Sequence, residues 1–90
     1  MEKAVSIIVH GTVQGVGFRS FARHHAVKRG IQGWVQNRVD GSVEIHAEGP
    51  EQTVNDYVDA IKKGPGWVAV VHAQVSPSTV QEYQEFKIRD

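Results

Sequence analysis

Cysteine is absent from this chain of 90 residues. That excludes a disulfide framework, a thiolate nucleophile and any zinc site with cysteine ligands. Long apolar runs are absent too. None approaches the roughly 20 residues needed to span a bilayer. The run Val5-Ser6-Ile7-Ile8-Val9 is too short for the core of an export signal. A surplus of one charge sign is also missing, because ten acidic residues balance ten basic ones. Nucleic-acid binders more often carry a basic surplus, so this balance counts against that class. Proline occurs only three times, and no linker, repeat or low-complexity tract divides the chain. What remains is one small soluble domain, expected in the cytoplasm, with a core just large enough to fold unaided.

The patterns that are present predict an element order. Ala4 to His10 reads as a strand, with Val5, Ile7 and Val9 on one face. Phe18 to Arg29 reads as a helix. Phe18, Ala22 and Ala26 share its buried face, Phe21 broadens that face, and Gly30 suits the C-terminal cap. Ile31 to Val39 predicts a second strand. Asp40-Gly41 then predicts a tight hairpin turn, because both positions tolerate positive φ. Ser42 to Glu48 follows in alternation: Val43, Ile45 and Ala47 face one way, Glu44, His46 and Glu48 the other. On that pattern His46 is expected in solvent.

The second helix has the clearest signal. Gly49 is the expected N-cap and Pro50 the first helical residue. Val54, Tyr57, Val58 and Ile61 form an apolar stripe, and Lys62, Lys63, Gly64 and Pro65 end it. Trp67 to Val75 predicts a fourth strand, Pro77-Ser78 a loop, and Glu85 to Arg89 a short last strand. The fold class is therefore α+β. The order β-α-β-β-α-β is that of a ferredoxin-like sandwich: an antiparallel sheet, two helices on one face and a short extra C-terminal strand. That architecture hosts many functions, so it does not name one.

Function has to be read from Gly11-Thr12-Val13-Gln14-Gly15-Val16-Gly17-Phe18-Arg19. Glycines at a strand-to-helix turn let backbone N–H groups converge on an oxyanion, and the helix dipole assists. Arg19 adds charge and a bidentate fork. No lysine-serine/threonine pair follows, so this is not a Walker loop, and Ser20 stands where a dinucleotide fingerprint needs its third glycine. On its glycines alone the stretch reads equally as a plain connection. Asn37, in Gly33-Trp34-Val35-Gln36-Asn37, is unusual in a strand. It offers an acceptor and two donors to a water or ligand, or it simply begins the Asp40-Gly41 turn.

Together the two stretches resemble the acylphosphatase family. The resemblance rests on the loop through Arg19, then Asn37 within Gly-Trp-Val-x-Asn-x-x-Asp-Gly-x-Val-Glu, the helix ending in Gly64-Pro65 and the closing Phe86-x-Ile88-Arg89. It covers residues 1–90 as a single domain. It implies that Arg19 is the phosphate-binding arginine and Asn37 the water-positioning asparagine. It also implies that the loop, with Gln14, Gly15, Val16, Gly17 and Phe18, is the phosphate cradle. One departure stands out: Trp67-Val68-Ala69-Val70-Val71 is more apolar than expected in this family's fourth strand, where charged residues usually interrupt.

The chemistry implied is hydrolysis of acyl phosphates, mixed anhydrides of a carboxylic acid and phosphoric acid. The carboxylate leaving group has a conjugate-acid pKa of about 4, so it departs without a general acid. Positioning and charge stabilisation then suffice. No metal or other cofactor is expected, because the arginine and the amides take the place of a metal clamp. The expected partners are an acyl phosphate as substrate and inorganic phosphate as product. Neither nucleic acid nor membrane is expected, and the protein is expected to be a monomer.

The remaining titratable residues add little. Five histidines include no i, i+4 pair, and the adjacent His24 and His25 point in different directions. Asp56 and Asp59 lie on the polar side of the second helix. Two alternatives stay open. One is an acylphosphatase-like domain that binds phosphate without turnover, of the kind fused into larger carbamoyl-transferring proteins. The other is an RNA-binding module of the same element order. That module needs aromatics on its central strands, and Ala4–His10 and Ser42–Glu48 have none. Gly30-Ile31-Gln32-Gly33 imitates a KH-type loop but joins a helix to a strand, the wrong context.

Overall fold

Alternating β-branched residues carry the chain through a first strand, β1, from Glu2 to Gly11. In the computed structural model, which describes residues 1–68 and 70–90, six further elements follow. They are α1 (Phe18–Arg29), β2 (Gln32–Asn37), β3 (Val43–Pro50), α2 (Glu51–Lys63), β4 (Val70–Ser78) and β5 (Phe86–Arg89). The sheet order is β4-β1-β3-β2-β5. Element order and α+β class match the sequence expectation.

Both helices bury their apolar stripes on one face of the sheet. Phe18, Ala22 and Ala26 of α1 and Val54, Tyr57, Val58 and Ile61 of α2 meet Ile7, Val9, Val35, Val43 and Ile45 in one core. Each such Val or Ile contributes roughly 1.5–3 kcal/mol on burial. The Tyr57 hydroxyl donates to the Ala22 carbonyl (2.9 Å) and ties the two helices together. Strand β2 approaches β3 closely at Gly33, where a Cβ would lie 1.8 Å from the His46 carbonyl oxygen.

Several boundaries differ from the sequence expectation, each for a local reason. Strand β2 stops at Asn37, and five residues, 38–42, connect it to β3. Only Gly41 takes positive φ there; Asp40 instead accepts the Ser42 N–H (3.0 Å) and closes the turn through its side chain. Helix α2 starts one residue late. Pro50 is its cap, extended at ψ 139°, and still pairs with Glu2 in the sheet. Strand β4 begins at Val70 rather than Trp67, and Ala69 lies outside the described residues. Pro77, expected in a loop, pairs with Val5 inside β4. An edge strand tolerates a missing N–H on its outer side.

The expected antiparallel sheet gains one parallel pair. Each neighbouring pair along β4-β1-β3-β2 is antiparallel, whereas β5 runs parallel to β2. The chain leaves β4 at one edge, crosses the helix-free face in residues 79–85 and reaches the opposite edge. Starting from that end of the sheet, β5 must run against β4 and hence with β2.

That crossing corrects the expectation for His46. It is only 6% exposed and Glu48 only 3%. The Glu48 carboxylate accepts the N–H groups of Gln81 and Tyr83, each at 2.7 Å, and lies 3.0 Å from His46 Nε2. Polar residues on this strand face are therefore covered by a loop that they hold in place.

Candidate active site

The loop between β1 and α1 is bonded outward and open inward. Gly15 and Gly17 have φ of 74° and 82°, left-handed values that a Cβ would strain. The Gly17 carbonyl accepts the Phe21 N–H (3.0 Å), which makes Gly17 the entry to α1. The Gln14 amide donates to the Arg38 and Ser42 carbonyls (2.7 and 2.8 Å), tying the loop to the β2–β3 connection. Among the described residues, the N–H groups of Gly15, Val16 and Gly17 have no hydrogen-bond acceptor. No side chain caps the N-terminus of α1, and no acidic residue occupies its first turn. The positive end of that 12-residue helix is thus uncompensated.

Three elements meet at this point around a small cavity of about 120 Å³. Gly15, Gly17, Phe18 and Arg19 line it from the loop and α1, Asn37 from the end of β2, and Ile88 from β5. Arg19 is the second residue of α1, half-buried, and its Nη1 donates to the Arg89 carbonyl (3.0 Å). Asn37 follows Gly33 and Val35 on the helix-facing side of β2. Its Oδ1 is buried and has no hydrogen-bond partner among the described residues. Buried acceptors are rarely left unpaired, and the exceptions mark sites that await water or ligand.

The chemistry this arrangement permits is anion binding beside a waiting acceptor. Gly15, Gly17 and the Arg19 guanidinium share this cavity with an amide oxygen that no described residue engages. Gln14 and Val16 do not line the cavity; Gly15, Gly17, Phe18, Arg19 and Asn37 do. Among the described residues no group of three His, Asp or Glu side chains is placed to hold a metal ion. The nearest carboxylate in the β2–β3 connection, Asp40, is held below the usual carboxylate range by the Ser42 hydroxyl and N–H.

A larger concavity, about 400 Å³, lies on the helix-free face among Trp34, Tyr83, Lys87 and Arg89. Size does not decide between the two. There the Arg89 guanidinium already stacks 4.5 Å from the Trp34 ring, and Glu82 and Glu85 offset the cations. The smaller cavity holds the unsatisfied donors and the orphaned acceptor.

Three partners of the site escaped sequence reasoning. Ile88 and the Arg89 carbonyl reach it only because β5 lies beside β2. Trp67 touches it from behind, its Nε1 donating to the Val16 carbonyl at 2.9 Å. The sequence signal nearest to it is the apolar stretch Trp67–Val71 that Trp67 heads.

Comparison with known proteins points the same way as the geometry. The profile of the acylphosphatase family matches residues 5–88. An acylphosphatase of Thermotoga petrophila is 44% identical over 87 residues, covering 97% of each chain. The crystal structure of acylphosphatase from Bacillus subtilis superposes with a TM-score of 0.93 at 44% identity, covering both chains completely. An acylphosphatase from Coxiella burnetii gives 0.92 at 32% identity, over 98% of this chain and 93% of that one.

Proposed function

The chain belongs to the acylphosphatase family and hydrolyses acyl phosphates to a carboxylate and inorganic phosphate, and we propose that the cavity between the glycine loop and Asn37 is where it does so. The phosphoryl group sits in the loop, its oxygens held by the amides of residues 15–19 and by Arg19. Val16 belongs to this cradle through its backbone N–H, and Gln14 supports it by tying the loop to the Arg38 and Ser42 carbonyls. Arg19 has five N–H donors, of which the Arg89 carbonyl engages one, so donors remain for the substrate.

Asn37 Oδ1 accepts a hydrogen from the attacking water and aims its oxygen at phosphorus. As the new O–P bond forms, the bond from phosphorus to the acyl oxygen breaks. Its electron pair leaves on the carboxylate, which needs no proton. The water's proton ends on a phosphate oxygen; among the described residues no carboxylate or histidine lines the cavity to take it. Charge on the phosphoryl oxygens is stabilised by donors already in place.

The unpartnered Oδ1 of Asn37, in the cavity that Arg19 and the glycines share, carries this assignment. Hydrolysis of benzoyl phosphate tests it. Asn37→Ala should lose turnover while binding inorganic phosphate with unchanged affinity. Turnover at the wild-type rate in that variant would remove Asn37 from the mechanism.

A further inference from the structure

A loop that owes its shape to glycines cannot hold that shape by itself. Gly15 and Gly17 confer the left-handed turns, and the same freedom lets the intervening peptides rotate. Binding and catalysis by backbone amides require those peptides to be fixed before substrate arrives. On one side Gln14 fixes the loop through two carbonyls. On the other side stands Trp67.

Trp67 projects from a turn that is itself firmly held. The Val68 N–H donates to the Pro65 carbonyl (3.1 Å), and Val68 and Val70 pack against the core. Trp67 as a residue is 71% exposed, so burial does little to place its side chain. Its placement comes from one hydrogen bond, Nε1 to the Val16 carbonyl, at 2.9 Å. Carbonyl 16 and N–H 17 belong to one planar trans peptide and point in opposite directions. Gly17 lines the cavity, whereas Trp67 does not.

Resting on the assignment of the cradle made above, we propose that Trp67 is a positioning residue for the phosphate-binding loop. By holding the Val16 carbonyl outward, it turns the Gly17 N–H inward, toward the phosphoryl oxygens. The first residue of the apolar stretch Trp67–Val71 is thereby a strut against the back of the cradle.

Trp67→Phe removes the N–H and keeps most of the ring. Because the indole is exposed, its melting temperature should stay within about 4 °C of wild type. The dissociation constant of inorganic phosphate, followed at the Gly17 amide by 15N NMR, should rise about 3- to 10-fold, the weight of one hydrogen bond. KM for benzoyl phosphate should rise in proportion, with a smaller fall in kcat. A purely structural role would instead lower the melting temperature and leave phosphate affinity intact. Unchanged phosphate affinity and an unchanged Gly17 response in the variant overturn the proposal, as does a wild-type Gly17 amide that ignores phosphate. The titration needs no turnover. A wild-type protein that fails to cleave benzoyl phosphate, yet shows the Trp67-dependent phosphate response, refutes the catalytic assignment and leaves the strut standing.

Discussion

Arg19 Nη1 lies 3.0 Å from the carbonyl oxygen of Arg89, so the second residue of α1 is bonded to the last residue of β5. The two are 70 positions apart in the chain. The bond lays the guanidinium along the cavity wall beside Ile88, with its other donors available. A side chain that is otherwise free to rotate is thereby held near the amides it must work with.

Arg19→Ala should lower kcat/KM for benzoyl phosphate by roughly 10²–10³, the usual cost of a lost oxyanion donor. Arg19→Lys keeps the charge but not the planar fork, so phosphate affinity should recover more than kcat does. Steady-state kinetics with inorganic phosphate as competitive inhibitor separate the two effects. A lysine variant with wild-type kcat would argue against bidentate contact.

Asn37→Ala should change stability by less than about 1 kcal/mol while it abolishes turnover. Among the described residues Oδ1 bonds to no protein group, so its removal breaks no bond within the fold. Chemical denaturation of the variant measures this. A marked loss of stability would mean that the amide is structural.

Gly33→Ala should be among the most damaging single changes in the chain. The added Cβ would fall 1.8 Å from the His46 carbonyl, and φ of 143° is itself unfavourable for alanine. The β2–β3 register would have to shift, and with it Asn37. A loss above about 4 kcal/mol, the exceptional range for point changes, is expected in urea denaturation.

Acid should loosen the clasp on the helix-free face. Burial pushes the Glu48 carboxyl up, but hydrogen bonds from His46 and from the Gln81 and Tyr83 N–H groups outweigh it, so the group titrates below its usual range. A depressed carboxylate contributes stability above its unfolded pKa of about 4.3 and loses it as pH falls through the folded value. Urea midpoints should therefore drop between pH 5 and the acid limit in the wild type. Glu48→Gln should be destabilised at pH 7 by about 1–3 kcal/mol and show a flatter acid limb. Equal slopes in the two proteins would exclude Glu48 as the group responsible.

Helix α1, the apolar stripe of α2 and the glycine-arginine loop were all legible in the chain, because each depends on neighbours three or four residues away or on the φ freedom of single glycines. Arg19 and Asn37 were legible as a pair of motifs. Their meeting in one cavity was not, since it requires β2 to end beside the start of α1. The burial of His46 and of its neighbour Glu48 was not legible, for a related reason. Alternation assigns them to the helix-free face, but only the crossing of residues 79–85 decides whether that face is wet. The parallel course of β5, Pro77 within an edge strand and the bond from Trp67 to Val16 likewise join residues that are remote in sequence. Local stereochemistry and periodicity thus determined the elements and the residue types of the site. Packing between distant segments decided which polar groups were covered, which were tied back and that Asn37 Oδ1 meets no described residue beside the donors of the loop.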